Sequence, residues 1–254
     1  MYGGMLRVPD GARCTEQRWA REGDLKVESF CSTVPALRQY KELIARQGLD
    51  GETAQAFDID SEFMATRRWE YGYAMDSLWR YYNQVPGDGL LRVLDVGCGY
   101  RPFTLFLVGR VLELTGRPYP VPMGCSRGLE VWAVDNESWA KKEPLAERLG
   151  AAGVHYKKGE MTALPFEDQF FDAVFAISVF EHLLRDEIQP ALNECVRVLR
   201  PATTVDPGGL LVATVDTCSK VKLLTPADDP PADAIYTAGG RAVAGSLFVR
   251  GAAA

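Results

Sequence analysis

Three carboxylates and one histidine stand where this chain changes from apolar runs to turns. Asp95 lies inside VLDVGCGY, Val93 to Tyr100; Asp135 follows VWAV; Glu160 opens EMTALPF; His182 sits in SVFEHL. The first stretch is a short apolar run, an acid and a glycine-spaced turn, apolar again at Phe103. That is the pattern of a buried parallel strand running into a ligand-binding turn. Gly97 and Gly99 can take φ > 0, and their missing side chains let a ligand approach the backbone. A phosphate site wants backbone N–H groups with no acid nearby, whereas Asp95 suits a ligand carrying an ammonium group or hydroxyls and no phosphate. Asp135, at the end of the next strand, can accept both hydroxyls of a ribose, a geometry that serves more than one adenosine cofactor.

These residues need strand ends to hold them, and the middle of the chain supplies strands alternating with helices. Strands are predicted over 91–96, 131–134, 154–157, 171–178 and 210–215. Helices are predicted from near Pro102 through Leu114, over 139–149 and over 186–199, the last with Ile188, Leu192, Cys195 and Leu199 on one stripe and Pro201 after it. Cys195 reads as a packed small residue. GRPYPVPMGCSRG, Gly116 to Gly128, is too rich in Pro and Gly for either element. Such alternation implies an α/β, Rossmann-like doubly wound, mostly parallel sheet covered on both faces, with ligands beyond the carboxyl ends of its strands.

Four segments follow from the same pass. Residues 1–30 carry Gly, Pro and alternating charges and read as an irregular arm. Residues 31–85 form a helical cap: one helix over 34–46, and a second over 61–82 with an apolar stripe through Phe63, Glu70, Tyr71, Ala74, Met75 and Leu78, broadened by Trp69, Tyr73, Trp79 and Tyr81. That surface either packs the helix on the sheet or, through Trp69 or Tyr73, roofs a ligand. Residues 86–220 are the core, entered through the turn cluster Val85 to Gly89. The tail, 221–254, reads TPADDPPADA and AGGRAVAGSLFVRGAAA, with one strand at 246–250 and a complete antiparallel hairpin in doubt.

At 254 residues with 47% hydrophobic and 24% charged content, the composition is that of an ordinary globular chain. The formal charge is -6 and the pI near 5.1, with Lys pairs only at 141 and 157, so a nucleic-acid partner is not expected. Six scattered cysteines without a CxxC pair argue against a zinc site or a disulfide scaffold. The chain opens without a secretory leader pattern, and no run reaches about 18 apolar residues. A cytoplasmic protein without a membrane span, monomeric or homodimeric, is the expectation.

Four blocks, in order, carry a resemblance: VLDVGCG from Val93, VWAVDNES from Val131, GEMTALPFEDQFFDAVFAISVFEHL from Gly159, and VLRP followed by PGGLLVATVD, ending at Asp216. On these the chain resembles the class I S-adenosylmethionine (SAM)-dependent methyltransferases, in the branch of small, ubiquinone-biosynthesis-like enzymes. The likeness covers roughly the middle half of the chain. Against the family pattern, the first crossover is lengthened, Arg101 replaces the third turn glycine, Ala202 to Asp206 split the usual LRPGG, and the C-terminal part is short.

The resemblance implies SAM as cofactor. Gly97, Cys98 and Gly99 would pass its methionyl portion, with Asp95 near its ammonium group. Asp95 can equally fix the turn by accepting backbone N–H bonds. Asp135 would take the ribose, Asn136 would lie along adenine and ribose, Glu160 would accept from the adenine amino group and Met161 would pack on the ring, with Ser178 completing the cofactor set. Leu164 and Phe166 read as core and pocket wall. No metal is implied. Methyl transfer from a sulfonium is an in-line displacement in which alignment supplies much of the acceleration. A base is needed only for an acceptor that arrives protonated. His182 can be that base, or it can position its loop or pair with Glu181. The expected function is methyl transfer to a small-molecule acceptor, at oxygen or nitrogen ahead of carbon. The alternative is a non-catalytic, regulatory or structural SAM-binding protein. An NAD(P)-dependent reductase is disfavoured by Asp95 and by the lack of a Tyr-x-x-x-Lys proton donor.

Overall fold

The computed structural model describes residues 12–19, 62–85, 90–99, 103, 104, 107, 129–137, 149–150, 153–203, 206, 208–217 and 243–251. Seven strands make one sheet: β1 (Ala12–Trp19), β2 (Leu91–Val96), β3 (Leu129–Asp135), β4 (His155–Lys158), β5 (Ala173–Ile177), β6 (Leu210–Thr217) and β7 (Val243–Gly251). Their order across the sheet is β1-β7-β6-β5-β2-β3-β4. β4, β3, β2, β5 and β6 run parallel, and β7 is antiparallel to both β6 and β1. Chain order therefore reverses between β2 and β5, which opens the crevice of a doubly wound sheet at the carboxyl end of β2.

Apolar residues alternate between the two faces of the central strands, so both faces need cover. On one, Leu94, Val96, Val134, Val174, Ala176, Leu211 and Ala213 pack with Ile188, Ala191, Leu192 and Cys195 of α2 (Arg185–Arg197). On the other, Phe175 meets the Phe103 ring at 4.8 Å and Phe103 meets Tyr71 of α1 (Glu62–Tyr82) at 5.5 Å. Phe171, Phe175 and Leu94 are fully buried, each worth about 1.5 to 3 kcal/mol of transfer free energy. Glu187 reaches back to the Leu184 N–H at 2.9 Å and caps the start of α2. Arg200, beyond its end, grips Asp172, Asp206 and the Tyr81 hydroxyl, which ties α1 to the sheet.

Between Glu70 and Tyr81, the helix α1 buries Glu70, Tyr71, Tyr73, Ala74, Met75, Ser77, Leu78 and Tyr81, positions that span more than one face. This is a helix sunk into the body of the protein.

Several expectations need correction. The irregular arm contains β1, whose residues Arg13, Glu16 and Arg18 are charges of the kind that edge strands carry. Among the described residues its strand partner is β7, at the far end of the chain. The strand expected at 246–250 is longer, Val243–Gly251, and it pairs antiparallel with both β6 and β1. α2 stops at Arg197, two residues before Leu199, because Leu199 bridges to Phe171 and the Arg200 N–H bonds Phe171 O. The same bridge keeps Phe171 out of β5, which begins at Ala173. The helix expected over 34–46, Arg101 and the 116–128 segment lie outside the described residues. So do most of the helices expected from Pro102 and over 139–149, of which Phe103, Thr104, Leu107, Leu149 and Gly150 are described as helical.

A candidate cofactor site at the carboxyl ends of the strands

The parallel register sets Asp95 opposite Ala133 on β3 and Phe175 on β5, at the end of the central strand. The turn that follows is left-handed at both glycines, with φ +65° at Gly97 and +54° at Gly99. A Cβ at Gly97 would lie 2.5 Å from Val179 Cγ1, so that position excludes a side chain on two counts. The Gly97 and Cys98 N–H groups both bond Val134 O, at 2.8 and 3.2 Å, and lash the turn to β3.

Asp95 is buried, and its Oδ2 accepts the Thr104 N–H at 3.1 Å. The turn-fixing role is therefore present. Burial pushes its carboxyl up to about 8, the Thr104 N–H offsets part of this, and the nearby Asp135 carboxylate adds to it.

Asp135 closes the crevice from the β3 side. Its Oδ2 accepts the Gly99 N–H at 2.9 Å and its Oδ1 the Glu137 N–H at 2.8 Å. These contacts fix the plane of the carboxylate. Next to it, Asn136 Nδ2 donates to Glu160 Oε2 at 3.3 Å, with both side chains exposed. Asn136 and Glu160 are thus brought together at the ends of β3 and β4. Met161 is buried with Leu164 and Phe166 in the core beneath.

The loop bearing Glu160 is strapped to α2. Glu194 accepts the Leu164 N–H at 2.7 Å, while Arg197 donates to the carbonyls of Leu164 and Phe166, both at 3.0 Å. Trp132 of β3 lies edge-on to Phe166, Phe170 and Phe171, which fixes the LPF segment against the sheet.

On the β5 side, Ser178 adopts φ +51° and its N–H bonds Thr214 of β6. Its hydroxyl donates to Glu70 Oε1 at 2.6 Å, and the Thr214 hydroxyl donates to the same oxygen at 2.6 Å. Ser178 is thus joined to α1 and β6. His182 ends the 3₁₀ turn Phe180–His182 after β5, with an exposed side chain at the rim. Asp95, the glycine turn, Asp135, Asn136 and Glu160 are brought together around one crevice; Met161 lies beneath it, while Ser178 and His182 stand on the segment that follows β5.

Four residues of this constellation escape sequence reasoning: Glu137, Tyr156, Glu70 and Thr214. Tyr156, on β4, donates its hydroxyl to Glu137 Oε1 at 2.9 Å and also lies 3.3 Å from Asp135 O. Burial and the Glu137 carboxylate hold its phenol well above the usual range, so it stays a donor. The one visible signal was Glu70, an acid inside the apolar stripe of α1.

Among the described residues, no group of His, Cys, Asp and Glu is placed to hold a metal ion, and no helix is long and apolar enough to cross a membrane.

Residues 94–205 match the methyltransferase domain family. A candidate methyltransferase of Encephalitozoon cuniculi is 29% identical over 162 residues, which are 63% of this chain and 60% of that protein. Sterol 24-C-methyltransferase of Aspergillus fumigatus is 28% identical over 115 residues, 44% of this chain and 26% of that protein. The chain thus spans less than two thirds of the first relative and about a quarter of the second. Among solved structures, a Pyrococcus horikoshii protein is 24% identical, covering 63% of this chain and 61% of its own, with a TM-score of 0.41. The matched domain supports SAM as the cofactor. With the strand order and the glycine turn described above, the chain has the class I SAM-dependent methyltransferase-like fold.

Proposed function

We propose that this protein transfers the methyl group of SAM to a small-molecule acceptor, at oxygen or nitrogen, by in-line displacement. The observation that carries this reading is the Gly99 N–H bond to Asp135 Oδ2, which joins the glycine turn of β2 to the acid of β3 across one crevice. A carboxylate so fixed suits a ribose diol, and an ammonium group brought beside the buried Asp95 would draw its carboxyl toward the ionised form. Asp95, Gly97, Cys98 and Gly99 would hold the methionyl end, Asp135 and Asn136 the ribose, and Glu160 the adenine edge.

SAM supplies an electrophilic methyl group with an uncharged thioether as its leaving group. The chain's own contribution is alignment and, for a protonated acceptor, a base. His182, exposed at the rim, supports an oxygen or nitrogen acceptor because an imidazole can take a proton from either. The acidic balance supports a small molecule over nucleic acid. The scattered cysteines, without a CxxC pair, are in keeping with the cytoplasmic setting we propose.

Calorimetric titration with SAM, S-adenosylhomocysteine and NADH tests the cofactor reading. Methyl-labelled SAM offered with panels of phenols, amines and carbon acids then tests the reaction. Binding of SAM with label in phenols or amines is the expected result. Binding of NADH without SAM would overturn the cofactor reading. Label in carbon acids alone would overturn the acceptor, and tight SAM binding without transfer to any panel would favour the non-catalytic reading.

A further inference from the structure

The acid at the end of β3 owes its orientation to a residue in a conformation that its own sequence does not favour. Glu137 has φ +59°, left-handed for a side chain with a Cβ and no local amide to stabilise it. Among the described residues, the others of this kind are Gln169 and Ser178. The left-handed turn brings the Glu137 N–H back to Asp135 Oδ1 at 2.8 Å. Such a conformation persists where its surroundings over-determine it, and here β4 supplies them. Tyr156 donates to Glu137 Oε1 at 2.9 Å, and Lys158, two residues along the same strand, lies 3.2 Å from Oε2. β4 therefore holds both oxygens of the Glu137 carboxylate. The Tyr156 bond is part-buried and Lys158 largely exposed, so the phenol is the firmer of the two.

We propose that Glu137 and Tyr156 are positioning residues for the ribose-binding acid: Tyr156 holds the Glu137 side chain, this keeps Glu137 left-handed, and its N–H then sets Asp135 in the plane that receives the cofactor's hydroxyls. The inference rests on the reading of Asp135 as the ribose acceptor. The Glu137 and Gly99 N–H groups bond opposite oxygens of the carboxylate, so each contributes to setting its plane. The device sits on the edge strand β4 and acts through the cofactor's hydroxyls, so it should show in cofactor affinity whatever is methylated.

The test is calorimetric titration of the full chain with S-adenosylhomocysteine, alongside thermal melting. Asp135→Ala reports on the underlying reading and is expected to weaken binding by about tenfold or more. Tyr156→Phe keeps the ring and removes only the hydroxyl; a loss of about 3- to 10-fold is expected, with the melting temperature within about 2 °C of the parent. Glu137→Ala should bind about tenfold more weakly, and Glu137→Gly, which takes the left-handed turn freely, should stay within about threefold of the parent. A role confined to stability would lower melting temperatures without separating Ala from Gly in affinity. If Asp135→Ala loses binding while Tyr156→Phe and Glu137→Ala bind like the parent, the positioning role is overturned and the ribose reading stands. If Asp135→Ala binds like the parent, the ribose reading fails and takes this inference with it.

Discussion

Replacing Gly97 by alanine asks the glycine turn to accept a side chain where the structure leaves no space. Two costs add. The backbone at φ +65° penalises an L-residue by about 1 to 2 kcal/mol. The new Cβ would lie 2.5 and 2.9 Å from the two methyls of Val179, and relieving such overpacking costs about 1 to 3 kcal/mol. Restricting the unfolded chain returns about 0.4 to 1 kcal/mol, so Gly97→Ala should destabilise the protein by about 1 to 5 kcal/mol. Val179→Ala alone removes two methyl groups at a half-buried site and should cost about 1 kcal/mol. Together they remove the clash but not the backbone term. The double variant should then be more stable than the two single effects summed, by about 1 to 3 kcal/mol. Urea denaturation of the four proteins gives this coupling directly. Additivity within about 0.5 kcal/mol would show that Val179 does not press on the turn, and would refute the contact said to join the cofactor turn to the segment carrying His182.

Further predictions concern the buried acids and the rim. The Asp95 carboxyl is raised from 3.8 to about 8 in the folded protein, so the fold holds a proton that the unfolded chain has released. Its stabilising contribution is complete below about pH 4 and is lost as pH rises through about 8. Stability of the parent relative to Asp95→Asn should therefore fall across about pH 5 to 8, towards a ceiling of about 6 kcal/mol. Parallel stability curves for the two proteins would contradict this. Glu70→Ala should cost about 2 to 4 kcal/mol in urea denaturation, because it strips the buried Ser178 and Thr214 hydroxyls of a shared acceptor. Glu70→Gln, which keeps one oxygen, should cost less than half as much; equal losses would mean that the charge matters and the acceptor does not. His182→Ala should lower kcat and flatten its pH profile near neutrality while leaving S-adenosylhomocysteine affinity unchanged. An unchanged profile would return His182 to positioning its loop.

Legibility in the sequence followed the range of the forces involved. β2, β3, β5 and β6 were readable because a strand buried on both faces is a short apolar run, and the acids at 95 and 135 marked two of their ends. The glycine turn was readable because a left-handed backbone selects glycine. Glu137 and Ser178 adopt the same conformation without glycine, held by partners on neighbouring strands, and left no local trace. Glu70 looked like an oddity in an apolar stripe because the hydroxyls that satisfy it stand 108 and 144 positions away. β1 was unreadable for a similar reason, since a charged edge strand is defined by its partner, here β7 at the other end of the chain. Where α2 stops was set by a bridge from Leu199 to Phe171 that overrode helical spacing running on toward Pro201.

A structure with S-adenosylhomocysteine bound tests the central claim most directly. The ribose diol is expected within hydrogen-bond reach of the Asp135 carboxylate, with the Gly99 N–H still on its other side and the adenine edge toward Glu160. A ligand seated elsewhere, or a ribose whose hydroxyls meet groups other than Asp135, would contradict the account.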